Sequence, residues 1–93
     1  MHETLDALMA TLVSRKEHPI EGSYTCKLLA EGDRRILKKV GEEAAEVIIA
    51  AALEDRERLL SETADLLYHL SVMLVSLDLT WADVESELAR RFK

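Results

Sequence analysis

The sequence predicts an all-α fold, an antiparallel bundle of four to five helices in a single domain spanning residues 1–93. Nearly half of the residues are apolar, yet aromatic residues are scarce and Pro19 is the only proline, a composition typical of helical proteins. Apolar residues also recur at helical spacing along most of the chain. Because a bundle of this size has a marginal core, we expect a homodimer whose interface completes a four-helix core.

The charge and cysteine content restrict the partners and the compartment. A formal charge of −6 argues against general nucleic-acid binding, since nucleic-acid-binding proteins present a basic face. No apolar run approaches the roughly 20 residues of a membrane span, and the N-terminus lacks the pattern of a leader peptide. Cys26 is the only cysteine, which excludes an intramolecular disulfide and suits a reducing compartment. We therefore expect a cytoplasmic protein without nucleic-acid or membrane partners.

The first half of the chain predicts two shorter helices. Leucines at helical spacing predict a helix from Glu3 to about Lys16, with acidic residues early and basic residues late, as the helix dipole favours. Residues 17–22 form a loop rich in helix breakers. A short helical segment is expected to follow, capped by Ser23 or Thr25 and closed near Gly32.

Two long helices are predicted next. The first runs from Asp33, the expected N-cap, to residue 53 or 54, and the second covers residues 56 to 77 or 78. A connection this short makes the two helices antiparallel neighbours. A last helix is expected to begin at Thr80, which with Asp83 resembles a capping box. It runs through Phe92, and we expect Trp81 and Phe92 to serve packing or oligomer contacts.

Acidic residues occur at positions of the long helices where apolar residues would be expected. Glu43 lies inside an apolar stripe formed by Ile36, Val40, Val47 and Ala50. The second long helix is apolar on most sides, and its polar strip consists of Arg58, Glu62, Asp65, His69 and Ser76. A helix of this kind is normally central in its bundle, so the strip is expected to face protein or an internal cleft. Glu43 and Glu46 would then meet Glu62 and Asp65 in one place.

Four such carboxylates predict a cation site. Desolvation and mutual repulsion would disfavour the cluster unless positive charge neutralised it. Oxygen ligands, without a cysteine cluster or a histidine pair at ligand spacing, favour Mg²⁺ or Mn²⁺ over zinc. Magnesium held by carboxylates commonly completes its coordination with water and substrate phosphates, which indicates phosphate-ester or phosphoanhydride chemistry. The alternative is a structural cluster neutralised by Lys39, Arg58 and neighbouring helices.

Several flanking residues have both a structural and a functional interpretation. Lys38 and Lys39 either lie on a solvated face of the helix or bind phosphate oxygens. His69 is either a hydrogen-bonded core residue or a ligand or base. The hydroxyl groups of the segment 23–25, which contains Tyr24 and Thr25, either start a helix or contact a ligand. Tyr68 suits substrate contact and helix packing equally, and Glu42 either joins the acidic site or is exposed.

Two motifs resemble those of a known family. The segments Lys-Lys-Val-Gly-Glu-Glu-Ala-Ala-Glu (38–46) and Glu-Thr-Ala-Asp-Leu-Leu-Tyr-His-Leu (62–70) are similar to those of the phosphoribosyl-ATP pyrophosphatase family, within the MazG-like all-α superfamily. The likeness spans nearly the whole chain, including residues 23–25 and Gly32. The superfamily signature Glu-Glu-x-x-Glu plus Glu-x-x-Asp matches Glu42, Glu43, Glu46, Glu62 and Asp65.

The resemblance implies Mg²⁺-dependent hydrolysis of phosphoribosyl-ATP to phosphoribosyl-AMP and diphosphate, the second step of histidine biosynthesis. It also implies that Lys38 and Lys39 bind phosphate and that the metal ligands are Glu43, Glu46, Glu62 and Asp65. Some relatives are fused to the cyclohydrolase of the next step. Because this sequence has no room for that domain, we expect the stand-alone form.

The expected mechanism is attack of water on a phosphorus of the triphosphate chain, with diphosphate leaving and lysines supplying positive charge. Glu42 or Glu46 would orient or deprotonate the water. Two alternatives stay open at this level. One is a house-cleaning hydrolase of nucleoside triphosphates that uses the same carboxylates. The other is a non-enzymatic acidic helical oligomerisation module, which Mg²⁺ would not stabilise.

Overall fold

The computed structural model describes residues 2–92, which form five helices and no strand. The helices are α1 (Glu3–Glu17), α2 (Tyr24–Glu31), α3 (Asp33–Leu53), α4 (Arg56–Ser76) and α5 (Trp81–Arg91). The predicted all-α fold is therefore confirmed. The expectation that residues 1–93 form a single domain stays a prediction.

Polar side chains fix the starts of three helices. The Ser23 side chain accepts a hydrogen bond from the backbone N–H of Cys26 and caps α2. The Asp55 side chain accepts from the backbone N–H of Arg58 at 2.8 Å and caps α4. Thr80 forms the predicted capping box with Asp83 at the start of α5. Each cap satisfies backbone donors that the first helical turn leaves unpaired.

The prediction that Asp33 caps α3 is wrong, because Gly32 occupies that position. Gly32 has a φ of +95°, a backbone conformation that residues with a Cβ rarely adopt. Its N–H also donates to the Leu28 carbonyl at 3.2 Å and closes α2. One glycine thus ends α2 and starts α3, and Asp33 becomes the first helical residue instead of the cap.

The hairpin of α3 and α4 is the centre of the molecule. Only Glu54 and Asp55 connect the two helices, so α4 folds back along α3 as the short connection predicts. Helices α1 and α2 pack against the hairpin around a core of buried side chains: Leu12, Leu28, Ile36, Val72 and Val75. This packing holds the polar faces of α3 and α4 in a fixed relation to α2.

The C-terminal end of α4 is tied to α1 and α5 by polar contacts. The Lys16 ammonium donates to the Val75 carbonyl at 3.0 Å and pairs with the Asp78 carboxylate at 2.7 Å. The Trp81 indole N–H donates to Ser71 Oγ at 2.8 Å, so Trp81 packs on α4. Phe92, in contrast, is 80% exposed. None of the helices found between residues 2 and 92 has the length and apolar character needed to cross a membrane.

Candidate functional site

The hairpin brings three carboxyl groups together. One oxygen from each of Glu43, Glu62 and Asp65 lies within 4.8 Å of the other two. Glu43 comes from the apolar stripe of α3, whereas Glu62 and Asp65 are separated by about one turn of α4. Glu43 and Glu62 are only 7% and 6% exposed, while Asp65 is exposed. The carboxylate cluster, as we call these three residues, therefore has two buried members and one at the surface.

Glu46 lies beside the cluster on the next turn of α3 and is exposed. A hydrogen bond with the Glu62 carboxyl group raises the pKa of Glu46, and the hydrogen bond with Glu43 opposes this only in part. The negative charge of Glu62 acts in the same direction as the Glu62 hydrogen bond. Carboxyl groups this close repel one another when ionised, so a cation among them would be stabilising.

One atom of the cluster has no donor. Glu43 Oε2 is buried and has no hydrogen-bond partner among residues 2–92. A buried carboxylate oxygen without a partner costs free energy, and such atoms are rare in native structures. The arrangement suits a cation ligand, because this oxygen is available to a metal ion without breaking a hydrogen bond to the protein.

Two basic side chains neutralise part of the charge. Lys39 Nζ lies 3.3 Å from Glu43 Oε1 and 3.7 Å from Glu42 Oε1. Arg58 Nη2 lies 3.8 Å from Glu62 Oε1, and Arg58 Nε donates to Glu54 at 3.1 Å. Each buried glutamate therefore contacts one protein cation. Those contacts leave Glu43 Oε2 without a partner in the described part of the chain, so a structural cluster of ion pairs accounts for only part of the arrangement.

The surroundings of Lys39 act on its pKa in both directions. Burial lowers the pKa of the Lys39 ammonium, but the hydrogen bond to Glu43 and the charges of Glu43 and Glu42 outweigh it and leave the pKa raised. Lys39 is therefore a permanent cation at the edge of the cluster. Lys38, the neighbouring lysine, is exposed.

A hydrogen-bonded network links α2 to the cluster. His69 is 6% exposed, and its Nδ1 lies 2.8 Å from the backbone carbonyl of Asp65, so this nitrogen carries a proton and donates. In the neutral ring, Nε2 then accepts from the Tyr24 hydroxyl at 3.3 Å. His69 thus connects a residue of the cluster to a side chain of α2 that is 48% exposed.

Two further hydroxyl groups meet next to this network. Thr25 and Tyr68 share a hydrogen bond between their side-chain oxygens. The Tyr24 and Tyr68 rings are stacked at 26° with centroids 6.3 Å apart, and the His69 ring meets Tyr68 edge-on at 5.0 Å. Burial raises the pKa of Tyr68, and the hydrogen bond with Thr25 only partly opposes this. Tyr68 is therefore a neutral hydrogen-bonding group.

The structure separates the sequence candidates by position. Glu43, Glu62 and Asp65 form the cluster, with Glu46 and Lys39 at its edge. A single network contains Tyr24, Thr25, Tyr68 and His69. Glu42 is exposed and contacts Lys39, while Lys38 is exposed on the same helix. Sequence reasoning missed the link between Tyr24 and His69, because these residues are 45 positions apart and no local pattern connects them.

These features define a class of protein: an all-α chain with an acidic site on a hairpin of two long helices, bordered by lysine, tyrosine and histidine side chains. Comparison with known proteins gives the family. The model of the phosphoribosyl-ATP pyrophosphohydrolase family matches residues 5–92. The chain belongs to this family, as the resemblance of the motifs predicts.

Curated relatives agree with the family model. The phosphoribosyl-ATP pyrophosphatase of Limosilactobacillus fermentum is 51% identical over 96% of this chain and 84% of its own length. That of Clostridium botulinum is 48% identical over 97% of this chain and 82% of its own length. The histidine biosynthesis bifunctional protein HisIE of Pyrococcus furiosus is 52% identical over 96% of this chain, which spans only 41% of that protein.

Proposed function

We propose that this protein hydrolyses phosphoribosyl-ATP to phosphoribosyl-AMP and diphosphate, the second step of histidine biosynthesis. The observation that carries the proposal is a match along nearly the whole chain to relatives that are named for this substrate. The carboxylate cluster supports it, because phosphoanhydride hydrolysis needs cations that neutralise the negative charge of the phosphate groups, and the cluster can hold such a cation. We place the reaction in the cytoplasm, in keeping with the single cysteine.

The residues of the cluster fit Mg²⁺, with Mn²⁺ as a substitute. The donors are carboxylate oxygens, which hard divalent cations prefer, and Glu43 Oε2 has no partner within the described part of the chain. Glu43, Glu62 and Asp65 would hold the ion, and Glu46 is placed to assist. When bound, the ion neutralises charge on the phosphate oxygens and makes a nearby water more acidic.

The chain's own residues would bind and orient the substrate. Lys39 lies at the edge of the cluster and can donate to phosphate oxygens, and Lys38 can do so from the exposed face. We assign Tyr24, Thr25, Tyr68 and His69 to substrate positioning, because His69 links the half-exposed Tyr24 to Asp65 and the Thr25–Tyr68 pair packs against these rings. A preorganised set of donors reduces the cost of ordering the substrate.

Glu46 is better suited than Glu42 to accept the proton of the attacking water. Glu46 lies beside the cluster, one helical turn from Glu43 and in contact with Glu62, which is a suitable position for a base that acts on a water made acidic by the ion. Glu42 contacts the Lys39 ammonium and lies further round the helix. We therefore propose that Glu46 orients and deprotonates the water.

We also propose a homodimer in which the hairpins of two chains complete a four-helix core. Large apolar side chains near the turn of the hairpin are exposed: Ile48 (68%), Ile49 (50%), Leu53 (82%) and Leu60 (67%). An apolar surface of this kind commonly marks a protein contact. Sedimentation should give a dimer at micromolar concentration, and a stable monomer would contradict this proposal.

The test of the function is diphosphate release from phosphoribosyl-ATP, measured beside ATP and dUTP with and without Mg²⁺. Asp65→Asn is the test variant, because it keeps the side-chain shape and removes the charge from the cluster. Asp6→Asn is the matched control, since Asp6 is an exposed residue of α1. We expect Mg²⁺-dependent release from phosphoribosyl-ATP in the control and its loss in Asp65→Asn.

Other outcomes would point to the alternative functions. Release from the ordinary triphosphates alone would retain the site and contradict the substrate, which favours a house-cleaning hydrolase. No release from any substrate, together with no stabilisation by Mg²⁺, would favour the structural module.

A further inference from the structure

We infer that Lys39 is an internal counter-ion that Mg²⁺ displaces from Glu43, and that the displaced ammonium group then binds the diphosphate portion of the substrate. This inference rests on the proposed function, since it assumes that the cluster takes a divalent cation. It adds an order of events to the site. The Lys39 side chain first pairs with the metal ligand Glu43 and then contacts a phosphate oxygen of the substrate.

The contacts of Lys39 are those of a partial substitute for a metal ion. Its ammonium contacts Glu43 through Oε1 at 3.3 Å, while Glu43 Oε2 stays without a partner among residues 2–92. The side chains of Lys39 and Glu43 are only 21% and 9% exposed, so water screens the pair incompletely. The Lys39 ammonium therefore pairs with only one of the two carboxylate oxygens of Glu43.

A divalent cation at the cluster would weaken the contact between Lys39 and Glu43. The ion would compete for Glu43 and repel an ammonium group held on the same carboxylate, because like charges a few ångströms apart interact strongly at a half-buried site. The lysine side chain is a flexible stem with a compact, well-hydrated charge, so it can move without disturbing α3. Leaving Glu43 costs Lys39 little once the ion neutralises the carboxylate.

The surroundings of Lys39 keep the displaced group at the site. Lys39 has a second contact at the site, because its Nζ also lies 3.7 Å from Glu42 Oε1. Tyr24, which is linked through His69 to the backbone of Asp65, is 48% exposed. An anionic substrate that approaches the cluster and Tyr24 therefore comes within reach of the ammonium group. From this location, Lys39 can donate hydrogen bonds to phosphate oxygens once the carboxylate has released it.

Arg58 provides a comparison within the same site. Its guanidinium lies 3.8 Å from Glu62, its side chain is 59% exposed, and Nε already donates to Glu54. Solvent screens such a contact, so Arg58 competes only weakly with an ion for Glu62. The displacement is thus assigned to Lys39 and not to every basic residue near the cluster.

The inference predicts opposite effects on two ligands. Lys39→Met removes a competitor for Glu43, so the affinity for Mg²⁺ alone should rise about three- to tenfold. The same variant lacks the ammonium group that contacts phosphate, so the affinity for inorganic diphosphate at saturating Mg²⁺ should fall about tenfold. A lysine that only stabilises the fold would not strengthen one ligand while weakening the other.

Calorimetric titration with the metal alone tests the first effect. Mg²⁺ is titrated into chelator-treated protein, using the unaltered chain and the variants Lys39→Met, Lys38→Met and Lys39→Arg. Lys38→Met is the matched control, because it removes the same charge from the neighbouring exposed position and should change Mg²⁺ affinity less than twofold. Lys39→Arg keeps a charge that pairs well with carboxylates, so it should bind Mg²⁺ no more tightly than the unaltered chain.

A second titration, with diphosphate at a fixed excess of free Mg²⁺, tests the transfer to phosphate. Circular dichroism verifies that each variant is folded, and Lys39→Gln replaces Lys39→Met if the latter is not. Unchanged or weaker Mg²⁺ binding in Lys39→Met would overturn the displacement. Tighter Mg²⁺ binding with unchanged diphosphate affinity would overturn the transfer. Absence of Mg²⁺ binding to the unaltered chain would instead contradict the metal site on which the proposed function depends.

Discussion

The α3–α4 hairpin and helix α5 are stabilised in different ways. The hairpin buries both apolar and charged side chains, including Glu43, Glu62 and His69. Helix α5 has no buried residue among Trp81–Arg91 and is held by its capping box, by ion pairs from Arg90 and Arg91 to Glu87, and by the hydrogen bond from Trp81 to Ser71 of α4. Packing therefore stabilises the hairpin, whereas α5 is stabilised mainly by local interactions and is joined to α4 through Trp81.

The difference shows where the molecule can accommodate unfavourable groups. A buried carboxylate is costly, and it persists only where the surrounding packing is strong enough to hold it. The hairpin provides such packing, and α5 does not. Substitutions in the hairpin should therefore separate activity from stability, while substitutions in α5 should have small effects on stability.

The largest expected effect is that of Glu43→Gln. This change removes a charge from the cluster, so activity should fall at least about 100-fold and stabilisation by Mg²⁺ should disappear. The free energy of unfolding without metal should change by less than about 1 kcal/mol, because removing a buried oxygen that has no partner among residues 2–92 offsets the loss of the ion pair with Lys39. Thermal unfolding with and without Mg²⁺ measures both effects.

The matched control in α5 is Glu85→Gln, which removes the same charge from an exposed position. It should leave both activity and Mg²⁺ stabilisation as they are. A Glu43→Gln variant that kept its Mg²⁺ stabilisation would show that Glu43 is not a ligand of the ion.

A pair of valine substitutions compares the packing of the two regions. Val72 on α4 is 0% exposed, so Val72→Ala should create a cavity and lower the free energy of unfolding by about 2 kcal/mol. Val84 on α5 is only partly buried, and alanine has the higher helix propensity, so Val84→Ala should cost less than about 0.5 kcal/mol. Urea unfolding measures the difference, and equal losses would show that α5 is packed as firmly as the hairpin.

The sequence predicted the helices well because their signals are local. Thr80 caps α5 as expected, and Ser23, one of the two candidates, caps α2. The spacing of apolar residues predicts the burial of Glu43. The error at Asp33 arose from a competing signal, since Gly32 with its positive φ serves both α2 and α3. A sequence pattern does not show which of two adjacent residues takes the cap.

The site was less predictable than the fold because it depends on contacts between helices. Periodicity placed Glu43 and Glu62 on facing helices, but not the distance of Arg58 from Glu62 or the absence of a partner for Glu43 Oε2 within residues 2–92. The link from Tyr24 to His69 joins α2 to α4 and follows from packing around Leu28 and Val72. Such contacts have no period and no fixed spacing in the sequence.

A smaller effect is expected for Thr80→Ala. Loss of the capping box should cost about 1 kcal/mol, and the loss should be confined to α5 because that helix is held mainly by local interactions. Hydrogen exchange should therefore become faster in α5 while the amides of α3 and α4 stay protected. Faster exchange throughout the molecule would show instead that α5 and the hairpin unfold as one unit.

The smallest expected effect concerns the pH dependence of α5. Hydrogen bonds from Arg90 and then Arg91 lower the pKa of Glu87, so the folded state favours the ionised carboxylate. The resulting stabilisation is present above the pKa that Glu87 has in the unfolded chain, and it is lost as the pH falls through the lowered value. Because the side chains of Glu87, Arg90 and Arg91 are 44% to 67% exposed, we expect the change to be visible in a titration of the Glu87 carboxyl carbon by NMR and not in global unfolding. Arg90→Gln should move the midpoint towards the ordinary value, and Arg91→Gln should move it less. Equal midpoints in all three proteins would contradict the ion pairs, and α5 would then depend on its cap and on Trp81 alone.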